Sequence, residues 1–190
     1  MAETDLVLAV SKIVDEMRKA GTAPSGEDLT RLAAVIAEGF HVEKDEVAIL
    51  RFSPEVKTLS FLYPLKLAVI GSIPVTAPHS LAAKNFRDKH AEIANNFHTY
   101  QHATVFEAVD LSEEEKAAPI QKIMSLPMIV QGKGVGVIQI SRKAWPGERV
   151  GPDFTPADLA QLAAVGPIVG KFLVELSPPP GTRSKPRGKT

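Results

Sequence analysis

The sequence contains no cysteine among its 190 residues, and this absence excludes disulfide bonds, thiolate catalysis and cysteine-rich zinc sites. It also lacks an excess of either charge, because 22 basic side chains balance 22 acidic ones. A formal net charge of zero argues against nucleic acid as a partner. No apolar run approaches the ~20 residues of a membrane span, and the acidic N-terminus, Met1–Asp5, is unlike a signal peptide. We therefore expect a cytoplasmic protein without a membrane partner.

The familiar catalytic motifs are missing as well. The sequence has neither the HExxH pattern of zinc proteases nor the GxSxG pattern of serine hydrolases. The segment Gly132–Gly136 is rich in glycine, but it lacks the spacing of a phosphate-binding loop and lies between two predicted strands. We therefore predict that the protein is not an enzyme and has no metal site, and we leave the cofactor open.

The residues that are present suffice for one well-buried domain, since 44% are hydrophobic and 23% are charged. The sequence divides into an N-terminal helix in residues 1–24, a domain in residues 25–176 and a basic tail in residues 177–190. The tail, SPPPGTRSKPRGKT, combines prolines with four basic side chains and is predicted to be disordered. Weak attraction of the tail to nucleic acid or an acidic membrane is the less favoured alternative.

The N-terminal helix carries a narrow apolar stripe at steps of four, three and four residues: Leu6, Val10, Ile13 and Met17. Such spacing is typical of one face of a helix. The stripe either packs on its own domain or forms a seam with a second copy of the chain, and two heptads are too few to identify a coiled coil. The second interpretation predicts a homodimer that uses this helix, the last helix, or both.

Several elements are predicted before residue 118. They are a helix that ends near Gly39, strands at Val47–Phe52 and Thr58–Tyr63, a short helix at Ser80–Lys89, a short strand at Ala91–Ala94 and a helix at Phe97–Val109. In the second strand, alternation places Leu59, Phe61 and Tyr63 on one face.

A β-hairpin is predicted in Ile120–Lys143. Four apolar residues alternate onto one face of its first strand: Met124, Leu126, Met128 and Val130. Val135–Ile140 forms the second strand, and both strands are apolar enough to lie near the middle of a sheet. Two glycines in Gln131–Gly134 supply the positive φ angles of a hairpin turn, which has either two residues or three with a bulge. Pro127 predicts a bulge or an unpaired position, because it cannot donate to a ladder.

The last helix has a clear start. Thr155 is a suitable N-cap, Pro156 fits the first helical position, and Asp158 can return the capping hydrogen bond. Apolar residues follow at helical spacing: Leu159, Leu162, Val165, Val169, Phe172 and Leu173. Pro167 predicts a kink in this helix or a break at the preceding Gly166.

The order of these features resembles the GAF domain family. The resemblance rests on four segments in sequence: Leu126-Pro127-Met128, Gly132, Gly136-Val137-Ile138, and Phe154-Thr155 at the start of the last helix. It extends back to about Leu29 and covers about three quarters of the chain. It implies an α+β fold with a central antiparallel sheet of five to six strands, helices packed on one face and a small-molecule pocket on the other. It also implies signalling or dimerisation more often than catalysis, and the family's catalytic branch, which reduces free methionine sulfoxide, uses cysteines.

The resemblance places the pocket between the sheet and residues 66–118. His98 and His102 lie four residues apart on a predicted helix, and they share its apolar face. They are core histidines with internal partners, donors to an anionic or oxygen-rich ligand, or ligands of a metal or haem, although only two ligands are visible where structural zinc takes four. The candidate ligand-binding residues are His98, Tyr100, His102, Phe106, Phe61 and Met128.

The predicted function is that of a non-enzymatic signalling or regulatory module that binds a small molecule, dimerises, or does both. The alternative is a structural protein–protein interaction module whose pocket is filled by its own side chains. Cyclic nucleotides are not favoured as ligands. Members of the family that bind them carry an Asn-Lys…Phe…Asp-Glu pattern, and no Asp-Glu pair follows Asn85-Phe86 or Asn96-Phe97 at the right distance.

Overall fold

The structure, a computed structural model, describes residues 3–20, 25–69, 71–97 and 118–175. The helices in these ranges are α1 (Glu3–Ala20), α2 (Gly26–Phe40), a 3-10 helix (Lys44–Glu46), α3 (Leu65–Ala68), α4 (Leu81–Asp88) and α5 (Pro156–Glu175). The strands are β1 (Val47–Ser53), β2 (Thr58–Tyr63), β3 (Ser72–Pro74), β4 (Glu92–Ala94), β5 (Ile120–Val130) and β6 (Lys133–Lys143). The predicted helix beyond Phe97 and the tail in residues 177–190 lie outside the described residues.

The strands form one antiparallel sheet in the order β3-β2-β1-β6-β5-β4. The hairpin strand β6 lies between β1 and β5, which confirms that the predicted hairpin occupies the middle of the sheet. The two strands at the ends of this order, β3 and β4, have three residues each. The α+β architecture with a six-stranded antiparallel sheet is therefore as predicted.

The hairpin turn has two residues. Gln131 and Gly132 have φ angles of 49° and 75°, and positive angles at both positions define a type I′ turn. Glycine at position 134 is explained by packing and not by the turn. A Cβ atom there would lie 2.7 Å from Cε2 of Phe86 on α4. The turn therefore needs Gly132, and the packing of α4 on β6 needs Gly134.

Pro127 is aligned with Val137 of β6, so the residue itself is in register. The register shifts one residue later, between Met128 and Ile129. On its other side β5 pairs with β4 only as far as Ser125, and Pro127 therefore needs no hydrogen-bond partner from that strand. The predicted bulge is present, displaced by one residue.

Helices α1, α2 and α5 cover one face of the sheet, which we call the α5 face. Residues from all three helices share one core with the sheet, and the α1 stripe is part of it: Leu6, Val10, Ile13 and Met17 are all buried. This supports the interpretation in which the stripe packs on its own domain. Its residues offer no seam to a second copy, because α2 and α5 already cover them.

Helix α5 begins with the predicted capping box. The backbone N–H and the hydroxyl of Thr155 donate to Asp158 Oδ2 at 2.7 and 2.8 Å, and the N–H of Asp158 donates back to Thr155 Oγ1 at 3.2 Å. Of the two predicted outcomes, the break at Gly166 is wrong, since the helix continues through Pro167 to Glu175. The kink stays a prediction. Gly166 packs so closely on Leu126 that an added Cβ would lie 2.6 Å from its Cδ2. The helix is therefore packed on the sheet at the position where the proline removes one hydrogen bond.

Helix α4 covers the other face of the sheet, which we call the α4 face. Its core is a separate cluster of seven buried residues: Leu50, Leu59, Phe61, Ile73, Ala82, Ala83 and Val137. Tyr63 is not among them, so the prediction that Tyr63 shares a face with Leu59 and Phe61 is wrong. Ile49 pairs with Tyr63 and Leu50 pairs with Phe61, which leaves one extra residue in β2 and moves Tyr63 to the α5 face.

In the described ranges, α5 is the one helix long and apolar enough to cross a membrane, with a mean hydropathy of 1.4. It packs against β5 and β6 instead, and seven of its residues are buried: Leu162, Val165, Gly166, Val169, Gly170, Phe172 and Leu173. The core helix of a globular domain has the same composition.

Candidate functional site

Three polar side chains form a row across the apolar α4 face. Glu92 of β4 pairs with Ser125 of β5, and Ser125 pairs in turn with Gln139 of β6. Side chains of paired residues lie on the same face of a sheet, so these three are neighbours. We call Glu92, Ser125 and Gln139 the polar row.

The centre of the polar row is buried. Ser125 has no exposed surface, and its Oγ accepts a hydrogen bond of 3.0 Å from Gln139 Nε2. A serine hydroxyl that accepts one hydrogen bond keeps its own hydrogen to donate. Ser125 therefore places a donor in the middle of a buried sheet face.

Helix α4 adds two side chains at Glu92. Lys84 Nζ and Asn85 Nδ2 donate to Glu92 Oε2 at 2.7 and 3.3 Å. A carboxylate can only accept hydrogen bonds, so the amide nitrogen of Asn85 must face Glu92 and its oxygen must point elsewhere. That oxygen, Oδ1, is buried in a residue that is 1% exposed, and it has no hydrogen-bond partner among the residues that the structure describes.

Apolar residues flank the polar row. On one side Pro127, Val137, Leu50 and Phe61 follow one another across four strands by their register. On the other side Ala94 pairs with Ile123, which pairs in turn with the buried Ser141. A few fixed polar groups between apolar walls are typical of small-molecule sites.

The structure separates two of the candidate ligand-binding residues. Phe61 lies on the α4 face, in the apolar row beside the polar row. Met128 lies on the α5 face, where its Cβ is 3.3 Å from a Cβ built on Gly170 of α5. The two side chains cannot line one pocket, because the sheet lies between them. This corrects the grouping of Met128 with Phe61.

The other four candidates, His98, Tyr100, His102 and Phe106, lie outside the described residues. Sequence reasoning missed the polar row, although a signal for it exists. Ser125 stands between two apolar residues in Met-Ser-Leu, and Gln139 does so in Ile-Gln-Ile. A lone polar residue on the inner face of an otherwise apolar central strand needs a hydrogen-bond partner, so this pattern predicts a polar contact on that face.

A cleft of about 250 Å³ lies at the end of β6, away from the polar row, and its polar groups already hold the fold together. Arg142 caps the C-terminal end of α2, because its guanidinium donates to the carbonyl oxygens of His41 and Phe40 at 3.1 and 3.3 Å. The backbone N–H of Lys143 donates to Glu46, which ties the 3-10 helix to β6. Because these polar groups are already hydrogen-bonded within the protein, few of them remain for a ligand in the cleft. Within the described parts of the chain, no group of three or more histidine or acidic side chains is placed to hold a metal.

Solved structures of other proteins share this fold. The GAF domain of an Acinetobacter phosphoenolpyruvate-protein phosphotransferase superposes with a TM-score of 0.65 at 12% identity, covering 92% of this chain and 96% of that one. Free methionine-R-sulfoxide reductase from Neisseria meningitidis, in complex with its substrate, gives 0.61 at 14% identity, with 90% and 88% covered. A methyl-accepting chemotaxis protein gives 0.56 at 17% identity, with 86% and 95% covered.

No protein-family model matches the sequence, and no curated protein matches it. The similarity therefore lies in the structure, where it extends over nearly the whole chain. The protein has a GAF-like fold.

Proposed function

We propose that this GAF-like domain is a regulatory module that binds a small molecule at the polar row. The proposal rests on Oδ1 of Asn85, which is buried beside that row and has no hydrogen-bond partner among the described residues. A buried acceptor without a donor costs free energy, on the order of 1–3 kcal/mol, and a bound ligand that donates to it would recover part of that loss. The fold supports the proposal, because it occurs in a chemotaxis protein and in a reductase solved with its substrate.

The site favours an uncharged ligand. Asn85 Oδ1 accepts a hydrogen bond, and the hydroxyl of Ser125 can donate one. The carboxylate of Glu92 is already paired with Lys84. With mostly apolar residues on both sides, these groups suit a small neutral molecule with an N–H or O–H group next to an acceptor.

The proposed function is not catalytic. The chain has no cysteine, and the described side chains of the site are two amides, one hydroxyl and a carboxylate held by a lysine. Nucleophilic catalysis needs a hydroxyl or thiol with a base in reach, and the amide that bonds to Ser125 is not a base.

Native mass spectrometry of the purified protein tests the ligand. We expect an additional bound mass that disappears on mild denaturation and is lost or reduced in Ser125→Ala. The matched control is Ser141→Ala, which also removes a buried serine hydroxyl but lies outside the polar row, where Ser141 donates to the carbonyl of Glu46. Equal bound mass in both variants, or no bound mass in the wild type, would contradict the proposal.

The structural interaction module stays as the second candidate because part of the α4 face is closed. Phe61 and six other residues form a buried cluster there, filled by the protein's own side chains. This candidate predicts that no small molecule is retained. It also predicts that Ser125→Ala and Ser141→Ala behave alike.

We also propose a homodimer formed through α5. The outward face of this helix is exposed and carries Lys171 among Ala160, Ala163, Pro167 and Val174. The other exposed charge, Glu175 at the end of the helix, is paired with Arg18 of α1. A helix face with so little charge is unusual on a surface. The α1 stripe is buried within its own chain, so α5 is the better candidate of the two helices for the contact.

A further inference from the structure

The strand β4 touches both the proposed ligand site and the start of α5. Its first residue, Glu92, is the outer member of the polar row. The residue that follows β4 is Asn95, and its side-chain amide makes two hydrogen bonds with the backbone of Phe154. Asn95 Nδ2 donates to the carbonyl oxygen of Phe154 at 2.9 Å, and the N–H of Phe154 donates to Asn95 Oδ1 at 2.9 Å.

Phe154 is the residue that sets the start of α5. It immediately precedes the capping residue Thr155, and its side chain is buried in the core of the α5 face. The guanidinium of Arg142 lies 4.7 Å from the centre of its ring. A shift of Phe154 therefore moves the point at which the helix begins.

The strand that joins these two places is short and lies at an edge of the sheet. β4 has three residues and, among the described strands, pairs with β5 alone. Few hydrogen bonds hold so short a strand, and segments of this kind move at a lower free-energy cost than the middle of a sheet. Alternation along β4 places Glu92 on the α4 face and Ile93 against the core of the α5 face. A displacement of β4 therefore changes contacts on both faces of the sheet.

We propose that β4 transmits occupancy of the polar row to the N-terminal end of α5 through Asn95. This inference rests on the proposed function, in which a ligand binds beside Glu92. Contact with the ligand shifts Glu92, the short strand follows, and the pair of hydrogen bonds carries the shift to Phe154. Asn95 acts as a positioning residue, since it holds the backbone of the helix start and not the ligand.

Lys122 offers a matched control. It holds the same loop from β5, donating to the carbonyl of Gly151 at 2.8 Å and pairing with Asp153 at 2.6 Å. β5 pairs with β4 on one side and β6 on the other, and is not an edge strand. Loss of Lys122 therefore loosens the loop but leaves the connection from β4 intact.

Hydrogen exchange of the full chain, read by mass spectrometry on peptides that cover residues 153–162, tests the link without a known ligand. Glu92→Gln perturbs the polar row, and we expect exchange in the first turn of α5 to rise about threefold, as for a modest loss of local stability. In an Asn95→Ala background, Glu92→Gln should cause no further rise in exchange at the start of α5. In a Lys122→Ala background, Glu92→Gln should raise that exchange as much as it does in the wild type.

Additive effects of Glu92→Gln and Asn95→Ala, or no effect of Glu92→Gln on α5, would overturn the link. If Asn95→Ala does not fold, Asn95→Asp replaces it, because the carboxylate still accepts from the N–H of Phe154 but cannot donate to its carbonyl. The two proposals fail separately. A bound mass without coupling contradicts this inference alone, and coupling without a bound mass contradicts the proposed ligand.

Discussion

A Cβ atom built on Gly136 would lie 2.1 Å from the carbonyl oxygen of Leu50. The two residues lie on the neighbouring central strands β6 and β1, and the same Cβ would also lie 3.1 Å from Leu173 of α5. The close approach of backbone to backbone leaves room for glycine only. Even the smallest side chain at this position must push the two strands apart.

Gly136→Ala should therefore destabilise the protein, by about 1–3 kcal/mol or more, as overpacking in a core does. Chemical denaturation measures the change. Gly26→Ala is the matched control, because its Cβ would meet only the flexible side chain of Leu65, at 3.1 Å, and alanine favours a helix over glycine. Equal stability of the two variants would show that the strands can adjust.

Ile13→Asp should unfold the protein or reduce its stability strongly. Ile13 is 8% exposed and lies within the core that α1 shares with α2 and α5, so the carboxylate would be buried without a partner. Leu8→Asp on the same helix is the control, because Leu8 is 70% exposed. Thermal unfolding should show a large loss for the first variant and almost none for the second. A stable, merely monomeric Ile13→Asp variant would instead mean that the stripe serves a dimer.

The proposed dimer contact on α5 can be tested by a charge. Ala163→Glu places a carboxylate in the outward face of α5, and we expect it to shift the protein from dimer to monomer at tens of micromolar, on the order of a weak dimer's dissociation constant. The control is Val56→Glu, which makes the same kind of change at a residue 66% exposed in the turn between β1 and β2. Sedimentation velocity measures both. A wild-type protein that is monomeric in this range would rule out the dimer.

Asp45 should contribute to a loss of stability in acid. Partial burial pushes its pKa up, but the charge of Lys143, its hydrogen bond and the weaker contact with Lys66 outweigh burial and hold the pKa below the ordinary value of 3.8. Because the pKa of the folded state is lower than that of the unfolded state, the stabilisation is complete above about pH 4 and is lost as pH falls through the folded value.

Denaturation of the wild type and Asp45→Asn across a pH series checks this expectation. The wild type should be the more stable of the two near neutral pH, and the difference should shrink as the pH falls below about 4. A difference that stays constant down to pH values of about 2 would mean that Asp45 acts through packing and not through its charge.

Local signals in the sequence were sufficient for most of the elements. The hairpin, the capping box at Thr155 and the extent of β2 follow from alternation, turn residues and cap residues that act over a few positions. The six-stranded sheet agrees with the five to six strands that the resemblance implies. Five of its strands are marked individually in the sequence, whereas β3 was not predicted as a strand. None of these features depends on knowing what packs against what.

The polar row needed the register of three strands. Ser125 lies 33 residues after Glu92 and 14 before Gln139, and the three become neighbours only when β4, β5 and β6 pair. Asn85 gains its place there from α4, which no spacing relates to Ser125. The contact of Asn95 with Phe154 spans 59 residues and is likewise invisible in a local pattern.

The sequence by itself determined where most of the helices and strands lie and, along most of them, which side chains share a face, because period and turn chemistry are local properties of the chain. The tertiary structure alone decided what each face meets. It turned the α1 stripe inward, placed Met128 and Phe61 on opposite sides of the sheet, and moved Tyr63 across it through one extra residue in β2. An apolar pattern favours burial equally against any apolar partner, so the choice of partner is made only when all the elements pack together.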